Sequence, residues 1–320
     1  MAPVRTSDIP ERELLDQGRE VLAPHSGRGP AVESLRGAEG GPETAGTHGC
    51  PRVRLMGAEF DVLTQDETVQ RVVAAAANGS GFHLITANLD HARQYQVDDR
   101  VREYFDIADS VVADGAPIVW ASRVAGTPLP ERVAGSDMVP KLCRAAAAAG
   151  ISVYLLGADP GIAEQAAQML VDDIADLQIA GWHCPARGFL ESPTALAALE
   201  RDVREARPDL VLVALGFPLQ DEVIIRLRRS LPGAGFVGVG ISLSFLTGHV
   251  TRAPAWMQRS GLEWVHRLVQ EPQRLAERYL RRGIPFAALL LARAAWFRTS
   301  GKTAESWGAS RGQAVPSQMM

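Results

Sequence analysis

The stretch FHLITANLDHARQYQVDDRVREYFDIADSVVADG (82–115) holds two apolar runs, 82–87 and 110–113, on either side of a mostly polar segment. Short, continuous apolar runs are typical of strands that are buried on both faces of a sheet. The segment between them is long enough for the crossover that joins two parallel strands. The stretch therefore predicts a strand–helix–strand unit of a parallel sheet.

The same alternation of apolar runs and helical segments continues to about residue 242. A helix is predicted over residues 66–78, and Ser136 is predicted to cap another. Pro160 is predicted to lie in the first turn of the next helix, and Ser192 to open one more. The predicted strands are a short pair within 53–63 and the runs 82–87, 110–113, 152–156, 177–180, 210–215 and 236–239. This order predicts an α/β fold with a Rossmann-like, mainly parallel sheet and helices on both faces.

Composition divides the chain into four segments. Residues 1–50 contain eight Gly, five Pro and no aromatic residue, and we expect them to be disordered because they offer little apolar surface to bury. Residues 51–250 are predicted to form the Rossmann-like domain, residues 251–298 an arginine-rich helical appendage, and residues 299–320 a disordered tail. Eight Arg and three Glu between 259 and 298 give a local balance of +5. Such helices suit a membrane surface, but helices packed on the main domain or at an oligomer interface fit the same composition.

Charge and cysteine content exclude several classes of protein. The chain is 46% hydrophobic with a net charge of −4, which does not favour a nucleic-acid partner. Three cysteines without a C-x-x-C pair do not predict a disulfide framework. His183 and Cys184 are neighbours, but no third ligand accompanies them, so we expect no metal site. The sequence has no signal-peptide pattern and no apolar run of about 18–20 residues, and we expect a cytoplasmic protein without a spanning helix.

Small or polar residues follow five of the predicted strands. They are Thr86, Asn88, Asp90 and His91; Asp114 and Gly115; Gly157, Ala158 and Asp159; Gly216, Phe217, Pro218 and Gln220; and Gly238, Gly240 and Ser242. Because ligands bind outside the carboxyl ends of parallel strands, we expect these residues to converge on one crevice. Local explanations also exist: Asn88 suits a helix cap, and Asp114 with Gly115 suits a turn. The Gly157 loop suits a phosphate cradle or an ordinary turn equally well.

The segment DGAPIVWASRVAGTPLPERVAGSD (114–137) concentrates groups that suit transfer from a diphosphate. Asp114 can act as a general base, which removes a proton from an attacking hydroxyl. Arg123 and Arg132 offer guanidinium groups that can stabilise a departing diphosphate. Arg123 equally suits a solvated helix face. The segment therefore predicts a catalytic region at the end of the second predicted strand.

Eight motifs together resemble one family. They are TAN (86–88), ADG (113–115), VWASR (119–123), PERVAGSD (130–137), LLGADPG (155–161), GFPLQDE (216–222), RAPAWM (252–257) and GLEWVHRLVQEPQRLAERY (261–279). Over about residues 53–282 the chain resembles the WecG/TagA/CpsF family, glycosyltransferase family 26. The last 40 or so residues do not match its core pattern, and an extra membrane-binding element is one interpretation of them.

The resemblance implies an inverting, metal-independent glycosyltransferase that needs no cofactor. Its donor would be a UDP-sugar, typically of N-acetylmannosamine or its uronic acid. Its acceptor would be a sugar on an undecaprenyl diphosphate carrier, used for cell-surface polysaccharides. Such an enzyme would work at the cytoplasmic face of the plasma membrane as a peripheral protein, and self-association is plausible for this family.

The resemblance also implies roles for individual residues. Asp114 matches the proposed general base, and four other residues match positions that line the donor and catalytic pocket: Thr86, Asn88, Arg132 and Gln220. Of these we assign Thr86 and Arg132 to catalysis with Asp114. The strand-end glycines are placed with the donor and its diphosphate: Gly157, Gly216, Gly238 and Gly240. Arginines of the appendage are placed with the acceptor and the membrane: Arg267, Arg274 and Arg278.

The sequence departs from the family pattern at three positions. Ser244 stands where Asp is usual, Asp221 replaces the Glu of a Gln-Glu pair, and Glu277 stands where Arg is common. These departures bear on the choice of donor. Two other functions stay open from the residues alone. A nicotinamide-dependent oxidoreductase would need a third glycine beyond the Gly238-x-Gly240 pair, and a non-catalytic scaffold protein would keep the fold and bind nucleotide without transfer.

Overall fold

The computed structural model describes residues 50–300. The disorder predicted for residues 1–50 and 299–320 therefore falls, apart from residues 50, 299 and 300, outside the described residues. At the other end of the described range the prediction is corrected, because helix extends to Thr299, where the tail was expected to begin.

Eight strands form two sheets. Strands β1 (Arg52–Leu55) and β2 (Ala58–Asp61) pair antiparallel, which confirms the predicted strand pair. The main sheet has six strands, and each lies on a predicted apolar run: β3 (Phe82–Ala87), β4 (Ser110–Ala113), β5 (Ser152–Gly157), β6 (Gln178–His183), β7 (Leu210–Ala214) and β8 (Gly235–Gly238). Its order is β4-β3-β8-β7-β5-β6, and all five neighbouring pairs are parallel. The predicted Rossmann-like α/β class is confirmed.

Helices connect the strands of the main sheet. They are α1 (Gln65–Ala77), α2 (Leu89–Val97), α3 (Asp99–Ile107), α4 (Ala116–Ala125), α5 (Gly135–Ala149), α6 (Ile162–Asp173), α7 (Pro193–Ala206) and α8 (Leu219–Ser230). Ser192 caps α7 as predicted, because its hydroxyl accepts from the backbone N–H of Ala195 at 3.3 Å. A capping box of Thr64 and Glu67 opens α1.

Two predicted helix starts are wrong by one or two residues. Ser136 lies inside the first turn of α5, whose cap residue Ala134 makes no side-chain bond. Pro160 lies before α6, because Gly161 takes the cap position with φ +83°. A left-handed backbone favours glycine over any other residue, and this local requirement places the start of α6 after the proline.

The period-2 alternation of each strand sends neighbouring side chains to opposite faces of the sheet. Leu84, Val153 and Leu212 pack with α1, α5 and α6 on one face. Ile85 packs with α3 and α4 on the other face, and Tyr154 packs with α7 and α8 further along that face. The sheet is thus covered by helices on both faces, as predicted.

The chain ends in a second run of helices. They are α9 (Ser242–Leu246), α10 (Ala255–Arg259), α11 (Glu263–Gln270), α12 (Pro272–Ala276), a π-helical segment (Glu277–Gly283) and α13 (Ile284–Thr299). Helix α13 packs along α4 and buries Phe286, Leu290 and Ala294 at helical spacing against residues such as Ile118. This face of α13 therefore belongs to the core of the main domain, which is one of the alternatives that composition leaves open.

Within the described residues, no helix is both long enough and apolar enough to cross a bilayer. Several large apolar side chains of the C-terminal helices are nevertheless exposed: Trp256, Leu262, Val269, Leu280 and Ile284. Membrane contact by these helices stays a prediction.

The order of the strands opens a crevice at their carboxyl ends. From β5 the chain crosses towards β6 at one edge, whereas from β7 it crosses towards β8 in the opposite direction. Neighbouring strands whose connections diverge in this way leave a gap above the sheet, where α/β proteins bind ligands. The topology thus predicts a binding site above β5 and β7.

Candidate active site

A cleft of about 980 Å³ lies at the carboxyl ends of the strands. It is bounded by the loops that follow β3, β4, β5, β7 and β8 and by the C-terminal helices. Ten of the residues predicted for the site line it: Thr86, Asn88, Asp114, Arg132, Gly216, Gln220, Gly240, Arg267, Arg274 and Arg278. The structure therefore brings together residues that lie up to 192 positions apart in the chain, from residue 86 to residue 278.

Asp114 directly follows β4 at the floor of the cleft. Its backbone N–H donates to the Ala87 carbonyl at 2.8 Å, and its Oδ2 accepts from the Gly135 backbone N–H at 3.5 Å. Burial raises the pKa of Asp114 to about 7, although the charge of Arg132 and the Gly135 N–H oppose the rise. Glu263 and Asp137 raise the pKa further. A carboxylate with a pKa near neutrality suits a general base, because it is ionised in part and binds a proton strongly.

Arg132 belongs to a cluster of four alternating charges. Its Nη1 donates to Glu263 Oε2 at 3.1 Å, and its Nη2 donates to Asp137 Oδ2 at 3.4 Å. Arg252 closes the cluster, with its Nη1 2.6 Å from Asp137 Oδ1 and its Nε 3.5 Å from Glu263 Oε1. We call these four residues the charge cluster. It joins the loop before α5, α5 itself, the segment after α9, and α11.

Thr86 and Asn88 stand at the end of β3. The Thr86 hydroxyl donates to the Gly238 carbonyl at 2.9 Å, which ties β3 to β8 at the cleft floor. Asn88 caps α2, because its Oδ1 accepts from the backbone N–H groups of Asp90 and His91. The helix-cap explanation of Asn88 is therefore correct, and Asn88 also lines the cleft. A cap residue at a cleft places helix N–H groups, and their partial positive charge, towards a ligand.

His91 contacts both the loop at Asn88 and the loop at Phe217. Its ring lies 4.0 Å from the ring of Phe217, and its Nδ1 accepts from the Asn88 backbone N–H at 3.4 Å. Burial lowers the pKa of His91 to about 4, so the imidazole is neutral near pH 7 and its Nδ1 can accept. His91 thus holds the Asn88 loop against the Phe217 loop.

Gln220 lies across the end of β8. Its Oε1 accepts from the Gly240 backbone N–H at 3.2 Å, and it is buried. A Cβ on Gly238 would lie 2.4 Å from Gln220 Nε2, so glycine is needed there for the Gln220 side chain to fit. Gly238 therefore lies beneath the cleft lining and positions Gln220, whereas the prediction placed it with the donor.

Gly157 also lies beneath the lining, and its neighbour Ala158 lines the cleft instead. Its φ is +107°, and a Cβ would lie 2.6 Å from the carbonyl carbon and oxygen of Ala214. Glycine is required at this position for two reasons, because the backbone is left-handed and β7 approaches closely. The residue shapes the loop that was predicted to hold the diphosphate.

Replacing Gly157 by Ala is expected to lower the free energy of unfolding by roughly 2–5 kcal/mol, which combines left-handed strain with overpacking. Gly161→Ala is the matched control, because Gly161 also has a positive φ (+83°) but no atom lies within 4 Å of its Cβ position. It should cost only about 1–2 kcal/mol. Urea unfolding of both variants measures the difference, and equal losses would show that the contact with Ala214 is unimportant.

Three arginines of the C-terminal helices form the outer wall of the cleft. Arg267 and Arg274 both approach Glu271, at 3.7 and 2.9 Å, and Arg278 Nε lies 3.1 Å from Asp90 Oδ2. Arg267 also lies over the ring of Phe245, 5.8 Å from its centroid. The three arginines predicted for the acceptor and the membrane thus line the same cleft as Asp114.

Other polar groups near the cleft carry no role in the motif-based prediction. Asp137, Arg252 and Glu263 all lie within the matching motifs, yet nothing in their spacing indicates that they form one charge cluster with Arg132. A second unpredicted pair is His83 Nε2 and Asp221 Oδ1, which are 3.0 Å apart and fully buried. Two features of the sequence could have indicated this pair. His83 lies inside an apolar run that forms a buried strand, and Asp221 lies on a helix face whose other buried residues are mostly apolar.

Arginine side chains line the cleft. No group of three or more His, Cys, Asp or Glu residues that could hold a metal ion occurs in residues 50–300. His183 pairs with Asp202 at 3.2 Å. Positive charge for an anionic ligand is offered by the arginines of the charge cluster and of the cleft wall.

Comparison with known proteins identifies similar sequences. The sequence model of the glycosyl transferase WecG/TagA/CpsF family matches residues 53–300. This match corrects the expectation that the resemblance ends near residue 282, because it includes α13. The chain is thus similar to the family over its C-terminal helices as well as over the sheet.

Three curated relatives carry the same name, N-acetylglucosaminyldiphosphoundecaprenol N-acetyl-beta-D-mannosaminyltransferase. The protein from Bacillus subtilis strain 168 is 28% identical over 66% of this chain and 86% of its own length. The protein from Bacillus spizizenii strain W23 is 30% identical over 61% of this chain and 73% of its own length. The protein from Staphylococcus aureus strain MW2 is 27% identical over 70% of this chain and 87% of its own length.

Proposed function

The chain belongs to the glycosyl transferase WecG/TagA/CpsF family, and from this membership we propose that it transfers a sugar of the N-acetylmannosamine type from a UDP-sugar to N-acetylglucosamine on an undecaprenyl diphosphate carrier. The names of its relatives support this acceptor and this sugar. The observation that carries the proposal is Asp114, whose pKa is raised to about 7 in the same cleft as Arg132.

The proposed reaction is a single displacement. Asp114 removes the proton of the acceptor hydroxyl as its oxygen attacks the anomeric carbon. The bond from that carbon to the donor diphosphate breaks, and UDP leaves with the electron pair. Arg132 and the backbone N–H groups at the strand ends stabilise the charge that develops on the diphosphate. Attack from the opposite side inverts the anomeric centre.

We further propose that the reaction needs neither a metal nor a cofactor. Arginine guanidinium groups can take the place of a cation beside a diphosphate, because they bind phosphate oxygens through two parallel hydrogen bonds. Arg267, Arg274 and Arg278 line the cleft and can offer guanidinium groups of this kind.

The acceptor is proposed to reach the cleft at its arginine wall. Arg267, Arg274 and Arg278 suit the lipid diphosphate, and the exposed Leu280 and Ile284 suit the apolar part of a bilayer. The protein would then act as a peripheral protein on the cytoplasmic face of the plasma membrane. Self-association is compatible with this arrangement.

The two other functions make different predictions. The family assignment favours group transfer over a nicotinamide-dependent oxidoreductase. A non-catalytic protein would leave the placement of Asp114 and Arg132 in one cleft without a use, although it would still bind UDP. Binding of UDP without turnover on any acceptor would support that alternative.

The test is release of UDP from a panel of UDP-sugars in the presence of a synthetic lipid-diphosphate-N-acetylglucosamine. The proposal predicts release that requires the acceptor, prefers one N-acetylhexosamine donor and persists in EDTA. Anionic liposomes should increase the rate. Loss of turnover in EDTA would overturn the metal-independent mechanism, and no release with any donor would overturn the proposed reaction.

The pH dependence of kcat should show an acid limb with a midpoint near pH 7. Asp114 must be ionised to accept a proton, and burial raises its pKa to about 7. The rate at pH 6 should therefore be about one tenth of the plateau rate. Circular dichroism across the same range controls for unfolding. A flat profile between pH 5.5 and 8 would contradict the assignment of Asp114 as the base.

A further inference from the structure

The C-terminal helices contribute a carboxylate to the cleft that no motif-based assignment uses. Glu263, at the start of α11, binds Arg132, which lies 131 positions earlier in the chain. Resting on the proposed function, we propose that Glu263 is a positioning residue: it orients the Arg132 guanidinium for its role in catalysis.

The backbone beside Arg132 is fixed independently of Glu263. The N–H of the next residue, Val133, donates to the carbonyl of Ala113 at 2.8 Å, immediately before Asp114. The guanidinium has no such anchor in the main chain. An arginine side chain has several rotatable bonds, so its head group needs partners on more than one side to adopt one orientation.

Those partners are the two carboxylates of the charge cluster. Glu263 binds Arg132 at 3.1 Å and Asp137 binds it at 3.4 Å. Without Glu263, only the longer of the two contacts would remain. Side-chain exposure in the cluster is between 15% and 33%, with Glu263 the least exposed, so these contacts are partly shielded from solvent.

Glu263 is itself held in place on two sides. Arg252 approaches its other carboxylate oxygen at 3.5 Å. Two residues before it, Gly261 has φ +73°, and a Cβ there would lie 2.5 Å from the Cβ of Ala116 and 3.0 Å from Trp120. Gly261, two residues before Glu263, therefore packs on the first turns of α4, which begins two residues after Asp114.

This arrangement gives the C-terminal helices a function besides walling the cleft. Glu263 reaches Arg132 from the start of α11, and without this contact Arg132 would keep Asp137 alone. Arg132 would then be misoriented towards the leaving diphosphate. Small misplacements of a catalytic group lower rates strongly. The active site thus depends on Glu263 for the orientation of Arg132.

Glu263→Gln tests the proposal, because glutamine keeps the shape and removes the charge. We expect kcat to fall about 10- to 100-fold, with the donor KM changed much less. Glu205→Gln is the control, because Glu205 is exposed on α7 and does not line the cleft. It should leave kcat unchanged.

A double-mutant cycle separates positioning from general destabilisation. If Glu263 acts through Arg132, Glu263→Gln should have no further effect on kcat in an Arg132→Ala background. Additive losses, or wild-type kcat in Glu263→Gln, would overturn the proposal. If Glu263→Gln fails to fold, Arg252→Lys replaces it, because lysine keeps the charge but cannot bridge Asp137 and Glu263. Arg252→Lys should lower kcat by a smaller factor than the one expected for Glu263→Gln. This loss should also disappear in an Arg132→Ala background.

Amide hydrogen exchange of α11 provides a readout without substrate. Glu263→Gln and Arg132→Ala should each accelerate exchange over residues 263–270, and the double variant should exchange no faster than either. Independent effects would overturn the proposal even if the wild-type protein transferred no sugar. Inactive wild type with coupled exchange would instead overturn the proposed function and leave the coupling of α11 to Arg132 established.

Discussion

Asp114→Asn is expected to lower kcat by about 10²- to 10⁴-fold, the range that a positioned general base contributes. Asparagine keeps the size and the hydrogen-bonding oxygen of the side chain, so the bond from the Gly135 N–H can persist. It cannot accept the proton of the acceptor hydroxyl. Binding of the donor should change little, because the proposal gives Asp114 no contact with the nucleotide.

The same substitution should not destabilise the protein. The folded-state pKa of Asp114 is raised above its ordinary value, to about 7, chiefly by burial. At pH 8 the ionised carboxylate therefore opposes folding, and below the unfolded pKa this penalty is absent. Asparagine removes the penalty, so the Tm of the variant at pH 8 should be equal to or higher than that of wild type, with a smaller difference at pH 5.

The measurements are kcat for acceptor-dependent transfer and thermal unfolding at both pH values. Asp173→Asn is the control, because Asp173 is an exposed residue that pairs with Arg144 away from the cleft. Near-full turnover by Asp114→Asn would show that another group removes the proton. A sharp drop in Tm would show instead that the loss of activity reflects unfolding.

Arg132→Ala is expected to lower kcat by about 10²- to 10³-fold, as for loss of one group that stabilises developing charge. The diphosphate acquires negative charge as the sugar leaves. Of the charged side chains, Arg132 has the largest effect on the pKa of Asp114, so its positive charge acts on the proposed catalytic centre. The donor KM should rise less than kcat falls, because the contact strengthens in the transition state.

The charge cluster makes this variant informative for stability too. Removing Arg132 leaves Glu263 and Asp137 sharing Arg252 alone, so the Tm should also fall. Arg123→Ala is the control, because Arg123 is exposed on α4 and does not line the cleft; the structure thus favours the solvated alternative for that residue. If both variants kept wild-type kcat, Arg132 would have no role in the departure of the diphosphate.

Strands β3, β4, β5, β7 and β8 could be predicted because each is a short, mostly apolar run whose residues are nearly all buried. Thr86 and Asp114 could be placed together for the same reason, since both stand at carboxyl ends of parallel strands. The order of the strands in the sheet could not be predicted from the sequence. That β8 lies between β3 and β7 depends on how helices pack on each face, and local sequence does not record that.

The C-terminal helices were the hardest part to read from the sequence. Helix α13 is apolar on nearly all sides, so its pattern does not distinguish packing on protein from contact with lipid. Only the contacts of residues such as Phe286 and Leu290 with α4 show which face belongs to the core. The pairing of Glu263 with Arg132 is equally invisible, because charged side chains so far apart in sequence carry no signal of their contact.

The central claim is that this cleft transfers a sugar to a lipid-linked acceptor with Asp114 as the base. The most direct measurement is the mass of the lipid product after incubation of wild type and Asp114→Asn with UDP-N-acetylmannosamine and a synthetic lipid-diphosphate-N-acetylglucosamine. We expect wild type to add one N-acetylhexosamine to the lipid and Asp114→Asn to add almost none in the same time. UDP release without a heavier lipid, or equal product from both proteins, would contradict the account.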